Sequence, residues 1–154
     1  MSDTLKALDW DTLVYFTSGL IEVAKVDGIQ PKEREYIEAF FYEEISHIPD
    51  KRTEKFENIG DLPFDLDKAK QKINNDEIKQ FFLKSCVMLA CVDTFTTEEK
   101  ALIKKFATGL DFSEEKLNLV IQEVQEEIMA QFKDISIYMD SLKEVAQSIG
   151  VKEF

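Results

Sequence analysis

The stretch that decides the fold is a corner pattern that occurs twice. The first corner, residues 24–33, reads Ala24-Lys25-Val26-Asp27-Gly28-Ile29-Gln30-Pro31-Lys32-Glu33. The second corner, residues 90–99, lies 66 positions later and reads Ala90-Cys91-Val92-Asp93-Thr94-Phe95-Thr96-Thr97-Glu98-Glu99. In both, an apolar run ends at an aspartate, and a glutamate opens the next helix. Because Ile37 and Phe40 also match Ile103 and Phe106 at this offset, the pattern predicts two related helical hairpins.

Apolar residues at three- and four-residue spacing extend the helical pattern to most of the chain. No segment shows the sustained alternation that is typical of strands. We therefore expect an all-α protein, a single compact domain over residues 1–154 with seven to eight helices and two pseudo-symmetric hairpin halves. Its core should lie at about 10–130, with a C-terminal helix packed on it. The expected helices cover about 11–25, 31–46, 76–92, 98–108, 113–132 and 135–149, with short helical pieces near 51–59 and 65–73.

The charge of the chain excludes some classes of function. The 31 acidic residues outnumber the 19 basic ones and give a net charge of −12, so we expect no nucleic-acid partner. The longest apolar run, residues 86–92, is too short to span a bilayer. The N-terminus does not resemble a signal peptide, and Cys86 and Cys91 are expected to be reduced. These features favour a cytoplasmic protein without membrane insertion.

The corner glutamates have a structural explanation. Thr96 and Glu99 form a capping-box pattern, in which each side chain bonds the other residue's backbone amide. Gln30 and Glu33 form a weaker version of the same pattern. Both glutamates are also expected to face the positive end of a helix dipole.

The corner aspartates are harder to explain, since Asp27 and Asp93 follow helix C-termini, where the dipole disfavours negative charge. One interpretation is a bond from each carboxylate to amides of the following turn. The other is a divalent cation, calcium or magnesium before zinc, held by Asp27 with Glu33 and by Asp93 with Glu99. The spacing does not match an EF-hand, because Lys104 stands at the position of its final glutamate ligand.

The repeated pattern resembles the signature of the TerB-like family, named for the tellurite-resistance protein TerB. Ala24, Asp27, Gly28 and Glu33 match an Ala-x-x-Asp-Gly corner followed by a glutamate, and the second corner matches again. Thr94 stands there in place of the expected glycine. The resemblance covers about residues 10–130.

The resemblance implies a non-enzymatic, cytoplasmic accessory factor linked to stress or tellurite resistance. It also implies that the acidic corners bind a divalent cation and that the chain works beside another, membrane-associated protein. Two alternatives stay open beside this interpretation. One is a metal-free acidic module that binds another protein through an exposed apolar patch, and the other is an enzyme with converging carboxylates in a deep pocket.

Overall fold

A computed structural model of the chain describes residues 8–26, 28–59, 63–92 and 95–148, with residues 132–148 described by their backbone alone. Helices are the only regular elements in these ranges, so the all-α class is confirmed. Besides two short 3₁₀ turns, Pro49–Lys51 and Phe56–Asn58, the described residues form six α-helices: α1 Trp10–Lys25, α2 Pro31–Ile45, α3 Leu66–Lys72, α4 Asp76–Ala90, α5 Thr97–Gly109 and α6 Glu114–Ser148.

Short polar side chains begin the helices. The Asp9 carboxylate accepts a hydrogen bond from the Thr12 amide at 2.8 Å, and the Asn75 side chain accepts one from Ile78 at 2.9 Å. These bonds satisfy backbone donors that have no partner within the helix. After α1, Gly28 adopts a left-handed φ of 86°, a conformation that glycine reaches without steric cost and that commonly ends a helix.

The predicted division between residues 113–132 and 135–149 is wrong, because α6 is one continuous helix. Neither glycine nor proline occurs between Phe132 and Ile135, and Asp134 alone is a weak helix breaker. The chain divides into two compact units, Met1–Ile121 and Gln122–Phe154. The first contains α1 to α5 and the start of α6, and the second contains the rest of α6. A single domain with its C-terminal helix packed on the core stays a prediction.

Within the first unit, α1 is the central helix. It packs against α2, α3, α4 and α5, and α4 packs in turn against α2 and α5. The apolar stripe of α1 is fully buried, and most of the second half of α4, from Phe82 to Ala90, is buried as well; the α1 stripe consists of Leu13, Phe16, Leu20, Val23 and Ala24. The core also contains a cluster of phenylalanine rings, of which Phe16 and Phe82 form the centre, with ring centroids 5.1 Å apart.

Candidate functional site: two acidic corners

The first corner places its glutamate inside the protein. Glu33, in the first turn of α2, is only 2% exposed. Its Oε1 accepts a hydrogen bond from the Gln30 backbone amide at 2.9 Å. Pro31 occupies the first position of α2, where its missing amide costs nothing and its fixed φ suits the helix. The local sequence thus fixes the start of α2, and the Glu33 carboxylate turns back toward the backbone amide that precedes the helix.

The second corner repeats this arrangement, and the Thr96 hydroxyl takes part in two further hydrogen bonds. The Glu99 Oε1 accepts from the Thr96 amide at 2.9 Å and from the Thr96 hydroxyl at 3.1 Å. The Thr96 hydroxyl in turn accepts from the Glu99 amide at 3.1 Å. The predicted capping box is therefore confirmed, and Glu99 is 1% exposed.

The burial of both glutamates is the main property of the corners that the sequence did not indicate. A carboxylate without water needs hydrogen-bond donors or a counter-charge, because its desolvation is otherwise costly. The amide donors and the positive helix end supply such compensation, and among the described residues no buried side-chain oxygen lacks a hydrogen-bond partner. The signal available in the sequence was the glutamate at the third helical position of each capping box, but that position indicates a hydrogen bond and not burial.

The aspartates of the candidate site, Asp27 and Asp93, lie outside the described residues, as does Thr94. Within the part of the chain that the structure describes, no group of three or more His, Cys, Asp or Glu side chains is placed to hold a metal ion. The pairing of Asp27 with Glu33, and of Asp93 with Glu99, as cation ligands therefore stays a prediction.

The surroundings of the two corners differ. The first corner has exposed apolar side chains, with Val26 37% and Ile29 42% exposed. Ile29 lines a groove of about 320 Å³ together with Lys25, Arg34 and Phe56. The Arg34 guanidinium bonds the Glu38 carboxylate at 3.0 Å and lies 5.9 Å from the centre of the Phe56 ring. The groove thus combines an apolar lining with two basic side chains.

At the second corner a cysteine stands where the first has Lys25. Burial, with the charge of Glu99 as a second cause, raises the pKa of the Cys91 thiol. This thiol therefore stays protonated at neutral pH and is a poor nucleophile. Cys86, one turn earlier, is fully buried, and both cysteines are free, as expected from the sequence.

No family model, curated protein or solved structure matches this chain. The resemblance to the TerB-like family therefore rests on the corner residues alone and stays a prediction. Among the helices that the structure describes, none combines the length and the apolar character needed to cross a membrane.

Proposed function

We propose that this chain is a non-enzymatic, TerB-like binding protein built from two duplicated helical hairpins, the first formed by α1 and α2 and the second by α4 and α5. Support comes from positions 66 residues apart that carry the same interaction. The helix caps Asp9 and Asn75 are one such pair. The stacked rings form another, since Phe16 and Phe40 have centroids 5.8 Å apart, and Phe82 and Phe106 have centroids 5.9 Å apart.

In this proposal each corner binds a divalent cation, calcium or magnesium before zinc. Asp27 and Glu33 would supply oxygen ligands at the first corner, and Asp93 and Glu99 at the second. The observation that carries the proposal is the matched burial of the two glutamates, at 2% and 1% exposure. A cation would place a positive charge beside each buried carboxylate, and hard cations prefer carboxylate oxygens.

Calorimetric titration of the apo protein with calcium, magnesium, manganese and zinc tests the cation. We expect saturable binding to the wild type and its loss in the variant Asp27→Asn with Asp93→Asn. The matched control is Asp50→Asn with Asp67→Asn, which removes the same charge from two exposed positions. Absence of binding to the wild type, or equal binding by the corner and control variants, would sink the proposal.

The single corner variants determine whether there are one or two sites. If each corner binds independently, Asp27→Asn and Asp93→Asn should each halve the stoichiometry and leave the remaining affinity unchanged. If the corners share one cation, either substitution should weaken all binding.

The cellular role in this proposal is that of a cytoplasmic accessory factor in a stress or tellurite-resistance system, with a protein partner that is membrane-associated. Deletion of the gene should increase sensitivity to tellurite, and the cation-binding variant should fail to restore resistance when the control variant succeeds. Unchanged sensitivity of the deletion strain would remove the tellurite part of the proposal and leave the cation site to calorimetry.

A metal-free interaction module is the second candidate, and the exposed Val26 and Ile29 beside the first-corner groove favour it. Exposed apolar side chains that flank a groove are typical of a protein-binding surface. Capture of a partner should then survive chelation and be lost in Val26→Ser with Ile29→Ser. Leu119→Ser, at a position that is 64% exposed on α6, is the control for lost surface apolarity. Capture that needs calcium, or that resists the double substitution, would contradict this candidate.

A further inference from the structure

A second groove of about 500 Å³ lies along the opposite part of α1 from the first corner. One face of α1 contributes Trp10, Val14 and Tyr15, and α3 contributes Lys68 and Lys72. Apolar side chains that precede α3 in the sequence also line the groove, among them the buried Ile59. The volume lies within the roughly 300–1,000 Å³ that is usual for small-molecule sites.

Two apolar positions of α1 that line the groove are polar at the equivalent positions of α4. The positions on α4 that correspond to Trp10, Val14 and Ser18 are Asp76, Gln80 and Lys84, all polar. The hairpin fold therefore does not require an indole and an apolar wall at these positions. The binding of a small molecule would explain why these α1 side chains depart from the duplicated pattern.

The charged side chains that line this groove are two carboxylates, Asp11 and Asp65, and two ammonium groups, Lys68 and Lys72. Asp65 accepts a hydrogen bond from the Lys68 backbone amide at 3.2 Å, which caps α3. Asp11 is the counter-ion of Lys72, but their charged atoms are 3.7 Å apart, longer than a hydrogen bond. The ion pairs found among the described residues do not include Lys68. The Asp65 carboxylate thus caps α3 and the Asp11 carboxylate faces Lys72. The ammonium groups of Lys68 and Lys72 can still donate hydrogen bonds to a ligand.

A third lysine lies beside the groove, since the Lys51 Nζ lies 5.0 Å from the centre of the Trp10 ring. That distance is typical of a cation–π contact. It keeps the indole in place beside the groove and brings another positive charge to its edge. With Lys51, the lysines at the groove outnumber by one the two carboxylates that line it, Asp11 and Asp65.

We propose that this groove binds a small organic acid, a molecule with a flat apolar or aromatic body and one anionic head. The body would lie against Trp10, Val14 and Tyr15, and the head would accept hydrogen bonds from the Lys68 and Lys72 ammonium groups. Charge-assisted bonds of this kind fix the orientation of a ligand, while the apolar wall supplies most of the buried area.

Three probes with the same body and different heads test this proposal: 3-phenylpropanoate, 3-phenylpropanamide and 3-phenylpropylamine. Binding is measured by calorimetry and by the emission of Trp10, the only tryptophan in the chain. We expect the acid to bind at least roughly tenfold more tightly than the amide, because the amide lacks the charge-assisted bonds. The amine should bind more weakly than either.

Two double variants locate the site. Lys68→Gln with Lys72→Gln should bring the affinity for the acid down to that of the amide. Lys100→Gln with Lys105→Gln, which removes the same charge from exposed positions on α5, should change it by less than twofold. Trp10→Leu should weaken all three probes in calorimetry, and circular dichroism of each variant checks that the fold is retained.

Three results would overturn the proposal: no saturable binding of the acid, equal affinities for the three probes, or unchanged affinity in the Lys68 and Lys72 variant. Binding of the acid that persists in Trp10→Leu would place it elsewhere and would equally refute this site.

Discussion

Under the proposed duplication, the first hairpin, α1 with α2, and the second, α4 with α5, agree in their buried centres and differ around them. In each, a phenylalanine of the first helix is fully buried and stacks on a phenylalanine of the second: Phe16 on Phe40, and Phe82 on Phe106. A third ring completes each group, but Phe81 of α4 does so in the first hairpin and Phe64, before α3, in the second. The shared positions hold each hairpin together, whereas the third ring depends on what lies next to it.

Some equivalent positions of the two hairpins carry different side chains. Gly19 of α1 corresponds to Ser85 of α4, and Tyr36 of α2 corresponds to Leu102 of α5. Gly19 leaves room for the Phe82 ring, which a Cβ at that position would meet at 2.5 Å. The comparison therefore separates positions where the hairpins should respond alike to substitution from positions where they should not.

The largest expected effect comes from the two central rings. Phe16→Ala and Phe82→Ala should each lower the free energy of unfolding by about 3–5 kcal/mol, because each removes a fully buried ring from a packed core. The double variant should lose less than the sum, since the rings contact each other. Urea unfolding measures all three values. If the losses of unfolding free energy in the two single variants differ by more than about 2 kcal/mol, the hairpins are not energetically equivalent.

Alkaline pH should weaken the first hairpin through Tyr36. Burial, followed by the charge of Cys86, raises the pKa of Tyr36 to about 12. The unfolded chain releases this proton near pH 10, so the stabilisation is complete below pH 10 and is lost as pH rises through 12, by up to roughly 3 kcal/mol. Burial also raises the pKa of Cys86, which adds a loss in the same direction.

The measurement for this effect is the free energy of unfolding between pH 8 and 12 for the wild type, Tyr36→Phe and Cys86→Val. Tyr36→Phe should flatten the decline above pH 10, and Cys86→Val should flatten the part that begins near pH 9. A decline of identical shape in all three proteins would assign the loss to other groups.

An intermediate effect is expected at Gly19 of α1, whose equivalent on α4 is Ser85. Gly19→Ala should destabilise by about 1–3 kcal/mol even though alanine favours helices, because the new methyl group meets the Phe82 ring. Ser85→Gly should cost about 0.5 kcal/mol through helix propensity, and it also removes the Ser85 side chain that is hydrogen-bonded with Tyr36. Thermal unfolding compares the two variants. A stabilising Gly19→Ala would show that the ring yields without cost.

The smallest effect is expected at the corners. Glu33→Ala and Glu99→Ala should each cost about 1 kcal/mol, since each removes an acceptor for a helix-start amide. The exposed neighbours Glu35→Ala and Glu98→Ala are controls and should stay within about 0.5 kcal/mol. Repeating the unfolding with calcium sharpens the comparison: a cation held by the corners should stabilise the wild type and not the corner variants.

Much of the helical framework could be predicted because its boundaries carry strong local signals. Pro31 marks the start of α2, and the predicted helices of the first unit agree with the structure to within about two residues. The exception is residues 51–59, where two 3₁₀ turns occur because no long apolar stripe is present to stabilise an α-helix. The separate helices predicted at 113–132 and 135–149 are wrong, since the chain between them contains no glycine or proline that would end a helix and α6 continues through it.

The candidate site was less predictable, because burial depends on which elements pack together and not on local sequence. Glu33 and Glu99 were expected at helix starts, and they are there, but their almost complete burial arises from the surrounding helices. Phe64 precedes α3 in an irregular segment, and only the packing of α1, α4 and α5 places its ring on Phe106. Periodicity predicts faces of single elements, and these features arise between elements.

The contact between Phe16 and Phe82 has a consequence for the origin of the molecule. Under the proposed duplication they are copies of one residue, and a residue meets its own copy only near a twofold axis. A single ancestral hairpin that bore this phenylalanine would therefore have associated with itself as a symmetric dimer. Joining the two copies through residues 46–74 makes that association independent of protein concentration. It also allows each copy to change alone, as the groove beside Trp10 illustrates.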